Sequence, residues 1–259
     1  MSLRARSGRR LRTERGYTMI ELLIAMSLGT LIVTAAFSFL QFSTSDVTRI
    51  AERARLNQTG RVALERIMLR LHSACVTPSV APIQPNSSAT TLKFISETGT
   101  ASAFKTVHLH EIIYSSANNT LVEKTYINTG EGPKYPFSST AASTTTLLTG
   151  IKESTNEGVT LPIFRYYRYY REGDKPPAGS TTVPYGELNQ TALEPPLTKE
   201  SETVNVAKVT MSFTLAPTGK ESATFNHDRP IPLEDSVVFR LAPSSELPTT
   251  TNLPCSPET

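Results

Sequence analysis

An uncharged run of 24 residues, residues 22–45, stands close to the N-terminus and constrains the fold more than any other feature. Residues 22–40 within it are almost all apolar or small, and a helix needs roughly 20 such residues to span the hydrocarbon core of a bilayer. A secretory signal has a shorter apolar region of about 7–15 residues and a small-residue cleavage site after it. The run therefore predicts a membrane-spanning helix.

The segment before this run is strongly basic. Residues 1–16 contain six arginines and one glutamate, a net charge of +5, so the rest of the chain carries −2 of the total of +3. Arginines beside a membrane helix mark its cytoplasmic end. The N-terminus is therefore expected in the cytoplasm and the C-terminal part outside the inner membrane. The slightly acidic remainder argues against a nucleic-acid-binding body.

A single acid, Glu21, directly precedes the uncharged run. An acid at the centre of a membrane helix costs on the order of 2.5–3.5 kcal/mol and by default marks a function. The cost is lower near the helix end, but the acid still requires a cationic partner. A plain N-terminal anchor, the simplest alternative, offers no reason for Glu21.

The stretch RGYTMIELLIAM, residues 15–26, resembles the class III signal of type IV prepilins and type II secretion pseudopilins. The resemblance covers residues 15–74 and rests on the basic leader, the glycine, the glutamate spacing and the uncharged run. It implies that a prepilin peptidase cleaves between Gly16 and Tyr17 and that Tyr17 is then N-methylated. It also implies that Glu21, the fifth mature residue, pairs with the α-amine of a neighbouring subunit, since two opposite charges cost less together in a low dielectric than either alone.

Two features depart from the usual pattern of that family. Tyr17 stands where the first mature residue is usually phenylalanine, a difference that bears on the methylation step. Many major pilins also carry a proline midway along the membrane segment, whereas the first proline of this chain is Pro78. The sequence therefore lacks the proline that favours local melting of the helix on assembly in that family.

The helix is expected to continue as an amphipathic half over residues 43–77, after a membrane-spanning part at residues 17–42. Leu64, Ile67, Met68 and Leu71 fall on one helical face and predict a core stripe. Ile50, Ala54 and Val62 extend that side loosely, and the many arginines form a solvated face. Gly60 weakens the helix by about 1 kcal/mol relative to alanine.

All 18 prolines lie at or after Pro78, and the pattern there changes to alternating, β-branched residues. Residues 78–259 are therefore predicted to form an extracytoplasmic antiparallel β domain. A turn over residues 115–120 and a long Pro/Gly/Thr loop over residues 172–200 interrupt it. Strands are predicted at residues 91–96, 106–114, 121–127, 163–170, 204–215 and 237–241, with a short one at 147–151. One long helix followed by such a sheet gives the α+β class of the pilin fold.

Two stretches of the β domain have the composition of binding sites. His108 and His110 share one strand face and can chelate a metal, but without a third ligand they are interpreted as ordinary exposed histidines. The aromatic and basic residues 163–172 resemble a single-stranded DNA surface, and equally a strand with one packed and one solvated face. We favour the second interpretation.

The only cysteines are Cys75, at the end of the helix, and Cys255, near the end of the chain. The compartment predicted for this domain preserves disulfides. The sequence leaves open both one disulfide between them and two free thiols.

The predicted function is structural rather than enzymatic, with no cofactor and no metal. The expected partners are the prepilin peptidase, other pilin or pseudopilin subunits and the inner membrane. Length and irregular loops resemble the J-type pseudopilins and W-type minor pilins, which implies priming or capping of a type IV pilus or a type II secretion pseudopilus. The alternatives are a fibre-tip module that binds DNA or a surface ligand, and a singly anchored surface enzyme or ligand-binding domain. The leader does not distinguish pilus, secretion and competence systems.

Overall fold

The computed structural model describes residues 16–76, 80–98, 106–130, 135–184, 186–216 and 230–239, except the side chains of residues 45 and 46. The chain divides into two units, Met1–Ala51 and Glu52–Thr259. A single helix, α1 (Met19–His72), contributes residues to both. A long N-terminal apolar helix and antiparallel sheets confirm the predicted α+β class.

The part of α1 in the first unit is apolar and exposed. Within the described residues, α1 is the one helix long and apolar enough to cross a membrane, and none of its apolar window is buried. A core helix of similar composition in a soluble protein would be mostly buried. This segment therefore has the properties of a single membrane span.

Hydroxyl side chains in this apolar segment bond to the helix itself. Ser27 Oγ donates to the carbonyl of Ile24 at 2.9 Å, and Thr34 Oγ1 donates to the carbonyl of Thr30 at 2.9 Å. Ser38 repeats the arrangement at 2.9 Å from the carbonyl of Thr34. Such bonds satisfy a polar group where lipid offers no partner.

In its described residues, the second unit contains two four-stranded sheets and a small hairpin. The first sheet has the order β1 (Thr91–Thr98), β2 (Thr106–Ser115), β3 (Thr120–Ile127), β4 (Ser143–Thr149). The second is built from β5 (Ile151–Lys152), β8 (Phe164–Tyr167), β9 (Lys208–Leu215) and β10 (Ile231–Val238), with β9 central. The hairpin is β6 (Ser154–Asn156) with β7 (Val159–Leu161), and all pairings are antiparallel. A short helix, α2 (Glu200–Thr203), precedes β9.

The predicted core stripe of α1 is confirmed. Leu64, Ile67, Met68 and Leu71 are all buried and belong to one hydrophobic cluster with residues of both sheets. The looser extension of that stripe is wrong, because the Ile50 and Val62 side chains are 68% and 64% exposed. The buried face of α1 is therefore shorter than predicted and is limited to residues that pack in the hydrophobic cluster with the sheets.

Gly60 lies at a close approach between α1 and the second sheet. A Cβ atom at this position would lie 2.3 Å from Cδ1 of Leu215 and 2.4 Å from Cδ1 of Leu233. The glycine that weakens the helix in isolation therefore makes room for two leucine side chains, of β9 and β10.

Replacing Gly60 with leucine is expected to lower the free energy of unfolding by about 2 kcal/mol, because a well-packed core does not accept the added volume. Leucine has a higher helix propensity than glycine, so a decrease in the free energy of unfolding would come from packing and not from the helix itself. Urea unfolding of the full chain in detergent measures it. The second-site variant Gly60→Leu/Leu215→Ala should recover part of the loss. An unchanged midpoint in Gly60→Leu would contradict the close approach.

Several strand ends differ from the sequence prediction. The predicted strand 204–215 begins only at Lys208, because α2 and the turn after it occupy the preceding residues. The predicted strand 237–241 begins earlier, at Ile231, and residues 240–241 lie outside the described part. The strand predicted at 163–170 ends at Tyr167. The turn at 115–120 is confirmed, and Asn119 adopts a left-handed conformation there, with φ of 52°.

Candidate assembly site

Thr18 accepts hydrogen bonds from backbone N–H groups at the N-terminus of α1. Its Oγ1 accepts a hydrogen bond from the backbone N–H of Glu21 at 3.4 Å, and its carbonyl accepts the N–H of Leu22 at 3.2 Å. Thr18 thus acts as an N-cap, and Thr-Met-Ile-Glu matches the capping-box pattern in which glutamate occupies the third helical position. This T-x-x-E pattern is visible in the sequence but is absent from the predictions made above.

Glu21 lies in the first turn of α1, where the helix dipole favours a negative charge. Its side chain is exposed, and the described residues offer it no ion-pair partner. Gly16 and Tyr17 directly precede the helix and are also exposed, Tyr17 by 83%. The arrangement presents a potential N-terminal amine and a carboxylate at the same end of an apolar helix.

A second polar group, in the Glu52–Thr259 unit, consists of the buried His110 and Glu123 and of Arg70, which is partly exposed. Arg70 of α1 forms an ion pair with Oε1 of Glu123 on β3, and the same oxygen lies 2.9 Å from Nδ1 of His110 on β2. The His110 ring also stacks on Phe94 with 5.2 Å between centroids. We name these three residues the buried triad; they hold the helix to the first sheet.

The expectation that both histidines are exposed is wrong for His110, whose side chain is buried. Burial, reinforced by the nearby charge of Arg70 and by His108, lowers the pKa of His110 from 6.5 to about 4. The ring is therefore neutral near pH 7 and donates its Nδ1–H to Glu123. Burial also lowers the pKa of Arg70, and Arg66 on the same helix adds to that effect.

The buried triad predicts a loss of stability on mild acidification. The unfolded chain protonates the histidine below about pH 6.5, whereas the folded chain does so only near pH 4, so the free energy of unfolding should fall by about 2 kcal/mol from pH 7 to pH 5. His110→Gln should flatten this dependence. His108→Gln, the same change on the same strand face, should retain it. Denaturant midpoints across this range give the comparison, and an equally steep profile in His110→Gln would refute the buried neutral ring.

Metal binding by the histidine pair gains no support. Among the residues that the structure describes, no group of three or more histidine, cysteine, aspartate or glutamate side chains is arranged to hold a metal ion. The two imidazole rings lie 6.3 Å apart between centroids, and one of them already contacts Glu123.

The aromatic and basic stretch is divided between core and ion pairs. Phe164 and Tyr166 are fully buried, and the Tyr166 hydroxyl donates to the carbonyls of Ser88 and Thr91, both at 3.0 Å. Arg165 lies 3.0 Å from Glu234, and Arg168 forms a bidentate pair with Asp174 at 2.6 Å. Two aromatic rings and two arginines of this stretch are therefore engaged within the protein.

The long loop at residues 172–200 is attached to the sheets in its described parts. Hydrogen bonds to Arg168, together with the backbone N–H of Arg171, lower the pKa of Asp174 to about 2 and fix the beginning of the loop. Farther on, the N–H of Leu193 donates to the carbonyl of Tyr166 at 2.7 Å, and Leu197 is buried.

Cys75 is buried just after α1, and its backbone N–H donates to the carbonyl of Ile95 at 2.8 Å. Cys255 lies outside the described residues. The Cys75–Cys255 disulfide therefore stays a prediction, and mass spectrometry of unreduced peptides tests it.

Comparison with protein families identifies the N-terminal segment. Residues 11–37 match the prokaryotic N-terminal methylation motif. No curated protein and no solved structure matches the chain. The motif and the apolar helix confirm the resemblance to the type IV pilin and pseudopilin family, a family of structural rather than enzymatic proteins. The motif implies processing by a prepilin peptidase and assembly with other pilins, and it fits single-pass membrane anchoring.

Proposed function

We propose that this chain is a minor pilin or pseudopilin subunit that primes or caps a type IV pilus or a type II secretion pseudopilus. In this proposal the peptidase removes residues 1–16 at Gly16, and Tyr17 becomes the methylated N-terminus. The observation that carries the proposal is Glu21, which has no ion-pair partner among the described residues, in the first turn of an exposed apolar helix within the methylation motif.

The electrostatics of the helix end support assembly through that residue. The first-turn position lowers the cost of the Glu21 charge only partly, since the dipole effect is typically 0.3–1 kcal/mol. Cleavage after Gly16 places a new positive charge on Tyr17. A neighbouring subunit shifted along the fibre axis can then offer its amine to Glu21, and the pair defines the axial register.

The β domain supports a place at the end of the fibre. Its second sheet carries two insertions, the small hairpin β6–β7 between β5 and β8 and a loop of 29 residues, 172–200, between β8 and β9, whose Leu193 bonds to β8. A shaft subunit must repeat its contacts with neighbours in both directions along the fibre, so bulky irregular loops are accommodated more easily at a terminus. We infer from this a low-abundance subunit with the domain outside the cytoplasmic membrane.

The two alternative functions have no comparable support. A DNA-binding tip would need free stacking and basic groups in the stretch 163–172, where Phe164 and Tyr166 are buried and Arg165 and Arg168 contact acids. A singly anchored ligand-binding domain gives no reason for Glu21 beside a methylation motif.

Cleavage of the leader is the first test. Protein isolated from membranes should begin at Tyr17 by N-terminal sequencing, with a mass that indicates whether the amine is methylated. Gly16→Asp should leave the leader in place, because the peptidase requires a small residue there. Gly8→Asp, the same substitution within the leader, should be processed normally. An intact leader in the wild type, or cleavage after the apolar run, would refute the proposed function.

A further inference from the structure

The outer edge of β4 is open and lacks the features that protect sheet edges. Within the described ranges, β4 pairs with β3 and has no strand on its other side. Its sequence, STTTLLT, contains no charge and no proline. Proteins usually protect an exposed edge strand with charges, proline or a covering segment, because its free N–H and C=O groups pair readily with another chain.

Two other sheet edges, those of β10 and β1, show such protection. β10 carries Pro232, Glu234 and Asp235, and Glu234 is held by Arg165. The outer edge of β1 is covered by bridges from Ala74 to Ser96 and from Ile83 to Phe94. The open edge of β4 is therefore a local exception.

A groove runs between this edge and α1. One cavity of about 450 Å³ is lined by Gln58, Val62 and Arg66 of the helix and by residues 145–147 of β4, among others. A smaller one of about 170 Å³ is lined by Thr59 and by residues 146–149. An extended chain added to β4 would lie in this groove against Val62, whose side chain is 64% exposed.

The groove is also positively charged. Among the described residues, no acid lines either cavity, and the charged residues that do are Arg66 and Arg55. Arg55 is neutralised by Glu52 at 2.7 Å, whereas the described residues give Arg66 no acidic partner. An incoming strand with an acidic side chain facing α1 would supply the missing charge.

We propose that the edge of β4 and the adjoining groove bind an extended, acidic segment of a partner protein by strand addition. Main-chain hydrogen bonds to β4 provide the affinity, and pairing with Arg66 selects acidic over basic segments. This inference concerns β4 and the part of α1 beside it, both in the Glu52–Thr259 unit, and does not depend on cleavage, on Glu21 or on the fibre role.

The test uses the full chain in uncharged detergent and an eight-residue probe of alternating valine and glutamate. Hydrogen exchange of the β4 amides within residues 143–149 that point away from β3 should slow about tenfold at a probe concentration ten times its Kd. The same probe with valine and lysine should protect these amides less. A probe that is N-methylated at alternate amides provides the matched control. Strand addition uses only the probe amides along one edge, so methylation of those amides abolishes protection of β4, and methylation of the other probe amides leaves the protection unchanged.

Charge reversal tests the role of the helix. Arg66→Glu should reverse the preference towards the lysine probe, whereas Arg61→Glu, on the same helix but outside both cavities, should leave it unchanged. No protection by either probe, or equal effects of the two methylation patterns, would overturn strand addition. Slow exchange, before any probe is added, of the β4 amides that point away from β3 would also overturn the proposal, because the chain itself would then cover the edge. Equal protection by both probes would overturn the acidic selectivity.

Discussion

Replacing Glu21 with glutamine is expected to abolish incorporation into a fibre while membrane insertion, cleavage and folding of the β domain continue. Glutamine keeps the length and the hydrogen-bonding capacity that a capping box requires at this position. It removes only the charge. Losing one partner of a desolvated ion pair costs about 3–5 kcal/mol, enough to reduce assembly by about 100-fold or more. Insertion should improve slightly, because an acid has left the apolar helix.

The measurement is co-purification with partner pilin-type subunits, together with fibre or secretion output, at wild-type expression levels. Glu21→Asp serves as the matched control, since it keeps the charge on a shorter side chain and should restore part of the assembly. Thr18→Ala weakens the cap without removing the charge and should assemble better than Glu21→Gln. Normal assembly by Glu21→Gln would show that the charge is dispensable, and Glu21 would then serve only the helix start or the processing enzymes.

Replacing Glu123 with leucine is expected to lower the free energy of unfolding by about 3 kcal/mol. The substitution leaves Arg70 without its acid and the Nδ1–H of His110 without its acceptor, both at the interface between α1 and the first sheet. A buried group that loses its partner bears the full desolvation penalty. Arg70 is 28% exposed, so its long side chain can reach water in part, which places the effect at the lower end of the 3–5 kcal/mol range.

Two companion variants make this prediction specific. Glu52→Gln removes an acid from an i,i+3 pair on the helix, with Arg55, and should cost less than about 1 kcal/mol. The double variant Glu123→Leu/Arg70→Met removes both charges and should regain most of the loss, because an apolar pair of similar volume replaces an ion pair at little cost. Chemical denaturation of the full chain gives all three values. A double variant as unstable as Glu123→Leu would contradict the charge argument.

Local patterns in the sequence were sufficient to predict the helix and the turn between β2 and β3. Spacings of three and four residues identified the stripe from Leu64 to Leu71, and the turn at 115–120 follows from its polar composition. β10 was placed too late because Pro232, Glu234 and Asp235 interrupt the apolar alternation. An edge strand tolerates such residues, whereas a central strand does not.

The interactions that define the buried triad could not be predicted from local patterns. Arg70, His110 and Glu123 belong to three different elements, and their meeting depends on strand register, which one-residue shifts would abolish. Gly60 is similar, because its role arises from leucines more than 150 residues away in the chain. Thr18 is the opposite case, since its capping pattern is entirely local and was present in the sequence.

The hydroxyls of Ser27, Thr34 and Ser38 bond to their own helix. This affects the state of such a subunit in the membrane before it assembles. A membrane helix whose polar groups depended on other helices would tend to aggregate in the bilayer with whatever partner it met. These three hydroxyls need no hydrogen-bond partner from another helix, so this stretch of the segment is stable when it is surrounded by lipid. Under the proposed function, Glu21 is the group that requires a partner from another subunit. Subunits can therefore remain separate in the membrane, and their association depends on the N-terminal end of the helix.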